Sequence, residues 1–406
     1  MDFYAILDQV IAILRQRQRV TYRALKVQFQ LDDDTLETLK EELIDAQHLA
    51  ADEAGRILVW TGDTVLVAAA AAPAPVQAQA PLAPYLGLWT RVQDFIPEEL
   101  SALTEQRQVV RLHLMRTTVH LVSARDCLDW RILFYPRHAA DFSAHWRRGI
   151  EAVDRDTLLR QATQLLAEQP RTRAELGTLL AKHWPDADPA ALAYAATHHI
   201  AVCQVPPRGI WGKTGPATWA PVESWLGAPL RSVPVDALVL RYLGAFGPAT
   251  VADIQLWSGL TRLREVAERL PLRTFRTEEG ETLYDLPGAP RPAADTPAPP
   301  RFLPAYDNLL LSHKDRTRVI HGNRSVPLPP GNGATAGTFL IDGMWKGTWQ
   351  IWNQTLRIRP FTKLHHKDRD ALLAESAQLC AFVAPHADYT VDLGKPSATS
   401  RDCRNG

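Results

Sequence analysis

Hydrophobic positions at the start of the chain recur with helical spacing. Phe3, Ile6, Leu7, Val10 and Leu14 fall on one side of a helical period and predict a helix. VTYRALKVQF predicts a second, short helix, and Leu36, Leu39 and Leu43 place a third in DDDTLETLKEEL. The segment AADEAGRILVW then reads as a turn leading into a strand. Helix, short helix, helix and strand ribbon is the order of a winged helix-turn-helix.

The same order recurs. A helix over 156–168 is followed by RTRAELGTLL, and a third helix starts at Asp188-Pro189, a good N-cap and N1 pair. CQVPPRGIWGKTGPATW then supplies strand, Gly/Pro turn and strand. A further copy starts at Ala237, with ALVLRYLGAFGPATVADIQLWSGLTRLREVAERL followed by LRTFRTEEGETLYDL. In each, a Thr opens the middle helix and an aliphatic follows four residues on: Thr21/Leu25, Thr172/Leu176 and Thr250/Ile254. Such a Thr caps the helix while the aliphatic enters the core, and Thr172 with Glu175 has capping-box spacing. A partial copy lies between, where VVRLHLM and TVHLVS read as two strands around Arg116-Thr117.

The last third has a different pattern. FLIDGMWKGTWQIWNQTLRIRPF alternates and carries turn signals at Asp342-Gly343 and Asn353-Gln354, so it predicts a small antiparallel sheet followed by a helix over 368–383. The fold class is therefore α+β: tandem winged helix-turn-helix repeats, then a small antiparallel β-sheet region. Two Ala/Pro-rich stretches, AAAAAPAP and APRPAADTPAPP, read as stiff spacers. They divide the chain into a winged-helix module (1–62), a linker (63–75), a tandem winged-helix region (76–288), a Pro-rich linker (289–300), a β-rich domain with a terminal helix (301–394) and a tail (395–406).

Composition narrows the class. With 46% hydrophobic and 22% charged residues, the chain is neither wholly disordered nor collagen-like. It opens with no basic segment, and its apolar runs fall short of the roughly 20 residues of a membrane helix. The four cysteines form no CxxC pair, so a reducing cytoplasm is the expectation; no membrane and a monomer are expected beside it. Lys+Arg and Asp+Glu are equal at 45 each, which leaves any nucleic-acid role to local clustering. Residues 301–370 hold 11 Lys/Arg against 5 Asp/Glu, whereas residues 1–60 hold 7 against 11. The C-terminal region can face phosphates, and the acidic N-terminal module suits a protein partner better than DNA.

Several stretches carry a resemblance: VQAQAPLAPYLGLWTR, VVRLHLMRTTVHLVSARD, VPPRGIWGKTG, LRYLGAFGPATVADIQLWSGL, LPAYDNLLLSHKDRTRVI and TFLIDGMWKGTWQI. In order and spacing, residues from Val76 to about Asp392 resemble the AlkZ/YcaQ-like superfamily of winged-helix DNA glycosylases. Residues 1–62 fall outside it and resemble a separate winged-helix module of bacterial signalling ATPases and cyclases. The resemblance implies tandem winged helices forming a concave surface for double-stranded DNA, and excision of alkylated, including crosslinked, bases. It implies a Gln-x-Gln catalytic signature, matched by Gln77 and Gln79. It also implies a Gly where Thr117 stands.

The residues allow a chemistry for that signature. An alkylated purine is cationic and already a good leaving group, so a carboxamide that only positions water suffices. On composition alone, Gln77 and Gln79 belong to the Ala/Pro linker. Arg116, at a wing turn, is a DNA-contact candidate or a solvated hairpin charge, and Arg208, at the tight turn of another wing, is a DNA-contact candidate or part of simple hairpin geometry. His120 is another DNA-binding candidate, or a satisfied structural histidine. Lys314, Arg316 and Arg318 follow the apolar run 309–311 and are read as DNA-binding. Asp307 before that run either caps a turn or marks a DNA-facing hairpin. Arg262, Arg264 and Arg269 lie where recognition helices dock, diluted by Glu265 and Glu268. His138, Asp141 and His145 share a helix face without resembling a closed zinc site, so neither metal nor cofactor is expected. Two alternatives stand beside the glycosylase: a non-catalytic winged-helix DNA-binding or regulatory protein, and a scaffold whose N-terminal module binds another protein.

Overall fold

The computed structural model describes residues 3–17, 19–46, 49–60, 74–321, 336–385 and 387–396. Most of the linker expected over 63–75 and of the tail over 395–406 lies outside the described residues. The chain opens with α1 (Phe3–Arg17), β1 (Arg19–Thr21), α2 (Tyr22–Phe29), α3 (Asp33–Lys40), β2 (Ala50–Glu53) and β3 (Ile57–Trp60). Thr21 caps α2 by accepting from the Ala24 N–H at 3.2 Å, and Asp32 caps α3 by accepting from Thr35 at 2.7 Å. The strands pair antiparallel in the order β1-β3-β2. Leu7, Val10, Leu14, Leu25, Leu39 and Leu58 form one buried cluster between helices and sheet.

The next stretch contains β4 (Val76–Gln77), α4 (Ala83–Trp89), α5 (Pro97–Glu105), β5 (Val109–His113), β6 (Val119–Ser123), α6 (Ala124–Trp130) and α7 (Tyr135–His145). It continues with α8 (Arg155–Glu168), β7 (Arg171–Thr172), α9 (Arg173–Leu180), α10 (Pro189–His199), β8 (Val202–Val205), β9 (Thr218–Pro221) and α11 (Val222–Leu226). Strands β4 to β9 form one six-stranded antiparallel sheet in the order β4-β6-β5-β8-β9-β7. Two hairpins that read as separate wings in the sequence are thus one sheet, joined where Leu112 faces Cys203.

Then come α12 (Asp236–Phe246), α13 (Val251–Ser258), α14 (Arg264–Arg269), β10 (Arg273–Arg276) and β11 (Thr282–Asp285). Thr172 with Glu175 and Thr250 with Asp253 form reciprocal capping boxes. Leu25, Leu176 and Ile254 are at most 1% exposed, as the repeated Thr/aliphatic spacing predicts. The described residues pack as two compact units, those within 1–74 with 233–248 and 265–289, and those within 75–232 with 249–264 and 290–406. The segment read as a third copy contributes to both.

Residues 290–299 are exposed and hold no helix or strand. The C-terminal part contains β12 (Arg301–Leu303), β13 (Gly337–Ile341), β14 (Met344–Trp352), β15 (Thr355–Pro360), α15 (His366–Val383) and β16 (Thr390–Leu393). The sheet order is β12-β13-β14-β15-β16. Asp342-Gly343 and Asn353-Gln354 turn the hairpins with positive φ at all four residues. The stretch read as a small antiparallel sheet forms β13, β14 and β15, which pair antiparallel, and β16, a strand that the sequence reading did not place, adds parallel to β15. The intervening α15 supplies the crossover that a parallel pair requires. Alternation puts Phe302, Phe339 and Ile341 against α15, and Leu303 and Leu340 on the opposite face with Leu310 and Ile320. Among the described residues, no helix is long and apolar enough to cross a membrane.

Candidate active site

The segment 77–79 is held against the sheet. Gln77 pairs with His120 across β4 and β6, and the next amide, Ala78 N–H, donates to the Val119 carbonyl at 2.8 Å. Gln79 closes the pairing with its side chain: the Val119 N–H donates to Oε1 at 3.1 Å. Gln77 is 4% exposed, with its Oε1 3.5 Å from the Thr118 hydroxyl. Both carboxamides therefore lie beside the β5–β6 turn.

Arg111, on β5, lies buried below this segment. Its Nη2 donates to the Ala78 carbonyl at 2.9 Å and its Nη1 to the Pro81 carbonyl at 3.0 Å, while Gln204 Oε1 lies 3.4 Å from Nε. Burial, and then the nearby Arg208 charge, lower its pKa to about 10. Tyr85 fastens the neighbouring turn 206–212: its hydroxyl donates to the Gly209 carbonyl at 2.8 Å and lies 3.0 Å from Ser101 Oγ. The sequence reading missed Arg111 and Tyr85. The one available signal was an arginine between Val110 and Leu112, which alternation alone assigns to the polar face.

The β5–β6 turn is a two-residue loop, with the Thr118 N–H donating to the Met115 carbonyl at 3.1 Å. Its central residues have positive φ, 53° at Arg116 and 59° at Thr117, as a type I′ turn demands. Only Gly adopts that geometry without steric cost, which accounts for the Gly implied at this position. Arg116 turns inward. Nη1 donates to the Trp257 carbonyl, whereas Nη2 and Thr117 Oγ1 are enclosed without hydrogen-bond partners among the described residues. His120 is fully buried, its Nδ1 2.9 Å from the Thr118 carbonyl and its Nε2 enclosed without a partner among the described residues. Burial, reinforced by Arg116, lowers its pKa to about 3, so the ring is neutral near pH 7. The expectation of a DNA contact at His120 is corrected by this burial, because no part of the ring is offered to a ligand at the surface.

The other expected cations are distributed. Arg208 is half-buried and donates to the Gly215 carbonyl at 2.9 Å. Lys314 and Arg318 are exposed and Arg316 is half-buried. The Lys314 backbone N–H donates to Asp253 Oδ1 at 2.7 Å, which fixes this turn to the start of α13. Arg318 Nη1 lies 3.2 Å from His313 Nε2. Asp307 caps a 3-10 turn by accepting from the Leu309 N–H at 2.9 Å, and it pairs with Arg91 at 2.7 Å. Of its two readings, the turn cap is the one found. Arg269 pairs with Asp236 on α12. His138 lies 2.7 Å from the Leu114 carbonyl, and Asp141 meets His198 at 3.2 Å rather than His138. Among the described residues, no three His, Cys, Asp or Glu side chains come together to hold a metal ion.

A family model described as DNA glycosylase AlkZ-like matches residues 74–382, a span that takes in the glutamine segment, Arg111, the β5–β6 turn and most of the C-terminal sheet. The chain belongs to the AlkZ-like DNA glycosylase family. The fold agrees. The Streptomyces sahachiroi DNA glycosylase AlkZ superposes with a TM-score of 0.64 at 20% identity, over 82% of this chain and 92% of that one. No curated protein matches the chain. This AlkZ-like protein is thus a DNA-repair enzyme of mixed α and β structure, a DNA glycosylase whose substrate is DNA. Residues 3–60 lie before the span that the family model covers.

Proposed function

We propose that this AlkZ-like protein is a monofunctional glycosylase that hydrolyses the N-glycosidic bond of alkylated, cationic bases in double-stranded DNA. Gln77 and Gln79 position the attacking water. The observation that carries this reading is the anchoring of Gln77-Ala78-Gln79 along β6, inside the span the family model matches. A carboxamide oxygen has two lone pairs and its nitrogen two N–H donors, so such a side chain can hold a backbone amide and a water together. The water oxygen bonds to C1′ as the C1′–N bond breaks, and the electron pair neutralises the departing cationic base. One water proton passes to solvent. A carboxamide is no base at neutral pH, so this chemistry serves leaving groups that need no protonation.

The DNA-facing cations in this reading are Lys314, Arg316, Arg318 and Arg208, with tandem winged helices forming the duplex-binding surface. Arg116, held by the Trp257 carbonyl, shapes the turn beside Gln77 rather than reaching for phosphate. The test is base release from a duplex containing 7-methylguanine, comparing wild type with Gln77→Ala and Gln79→Ala. Rapid release by wild type and a loss of at least about tenfold in either variant is expected, because positioning of water carries the rate. Undiminished release by both variants overturns the role of the glutamines. Binding without release from any alkylated duplex favours a DNA-binding protein of this family that has shed the chemistry.

A further inference from the structure

We infer that Arg111 is a positioning residue for the two glutamines, and that it ties them to the turn 206–212. The inference rests on the water-positioning reading of Gln77 and Gln79. A buried guanidinium ordinarily has a carboxylate partner, because an uncompensated buried charge is costly. Arg111 is 2% exposed, and its hydrogen-bond partners among the described residues are neutral: the carbonyls of Ala78 and Pro81 and the Gln204 side chain. Ala78 is the residue between the two glutamines. Its carbonyl is held by Arg111 and its N–H by Val119, so the backbone that carries both carboxamides is clamped from two sides.

The clamp continues into the turn. Gly209 has φ +86°, and a Cβ there would lie 2.6 Å from Arg111 Cδ. Glycine leaves the space the guanidinium stem occupies. The Gly209 carbonyl is in turn held by Tyr85, and Arg208 is the adjacent residue. A lysine at 111 keeps the charge but lacks the planar fork that reaches two carbonyls at once.

Amide hydrogen exchange and single-turnover base release, measured on the full chain, test this together. In Arg111→Lys, exchange at the Ala78 and Val119 amides should quicken at least about tenfold, with β13 and β14 unchanged, because charged hydrogen bonds to the segment are lost. The rate constant at saturating 7-methylguanine duplex should fall about tenfold to a hundredfold with KM little altered, since a small misplacement of a positioning group suffices. Millimolar guanidinium should restore part of the rate to Arg111→Ala and none to Gln77→Ala. Unchanged exchange at Ala78 and Val119, or a rate constant within about twofold of wild type, overturns the inference. If Gln77→Ala and Gln79→Ala both release base normally, the glutamine reading falls, while amide exchange still decides whether Arg111 clamps the segment.

Discussion

Replacing Thr117 by glycine is expected to make the protein more stable, although it deletes a side chain from an ordered turn. Thr117 has φ +59° in a two-residue loop. Left-handed geometry costs an L-residue about 1–2 kcal/mol, with β-branching toward the upper end. Its hydroxyl adds to the cost, since Oγ1 is enclosed without a partner among the described residues; such an orphan costs about 1 kcal/mol at the low end. Glycine returns roughly 0.5–1 kcal/mol through the greater freedom of the unfolded chain. The balance is a gain of about 1–2 kcal/mol. Urea unfolding followed by tryptophan fluorescence should show a raised midpoint at unchanged slope. Thr117→Ala removes the hydroxyl but keeps a Cβ at positive φ, so its gain should be smaller. Gly343→Ala isolates the backbone cost: φ is +69° and nothing lies within 4 Å of the added Cβ. It should lose about 1 kcal/mol. If Gly343→Ala shows that loss while Thr117→Gly is unchanged or weaker than wild type, the steric account of the β5–β6 turn is refuted.

Acid should destabilise the fold in a defined window. Burial lowers His120 and His138 to about 3 and His199 to about 4, from 6.5. The unfolded chain therefore binds protons that the native state refuses, so this stability is complete above pH 6.5 and is lost as pH falls toward those values. Urea midpoints measured between neutral pH and pH 4 should fall steadily, and His120→Gln should flatten the slope. Asp307→Ala should cost about 1–2 kcal/mol through the lost cap and its ion pair with half-exposed Arg91. Asp307→Asn keeps a capping oxygen, so base release by that variant at much below the wild-type rate would instead mark Asp307 as part of the chemistry.

Local rules were legible along the chain. Thr21, Thr172 and Thr250 cap their helices, and Leu25, Leu176 and Ile254 sit in the core, because capping and helical periodicity act within four residues. Asp342-Gly343 and Asn353-Gln354 turn where their types demand positive φ. The glutamine signature was legible only through family resemblance, since QAQ beside an Ala/Pro stretch carries no signal of its own. Tertiary structure decided the rest. Pairing of β5 with β8 merges two hairpins, 91 residues apart between Leu112 and Cys203, into one sheet. The parallel β16 depends on where α15 delivers the chain. Burial of Arg111, which alternation assigns to the polar face, and of His120 follows from what packs over β5 and β6. Long-range pairing sets which face of a strand is covered, and that in turn decides whether a polar residue meets DNA, solvent or the backbone of the site.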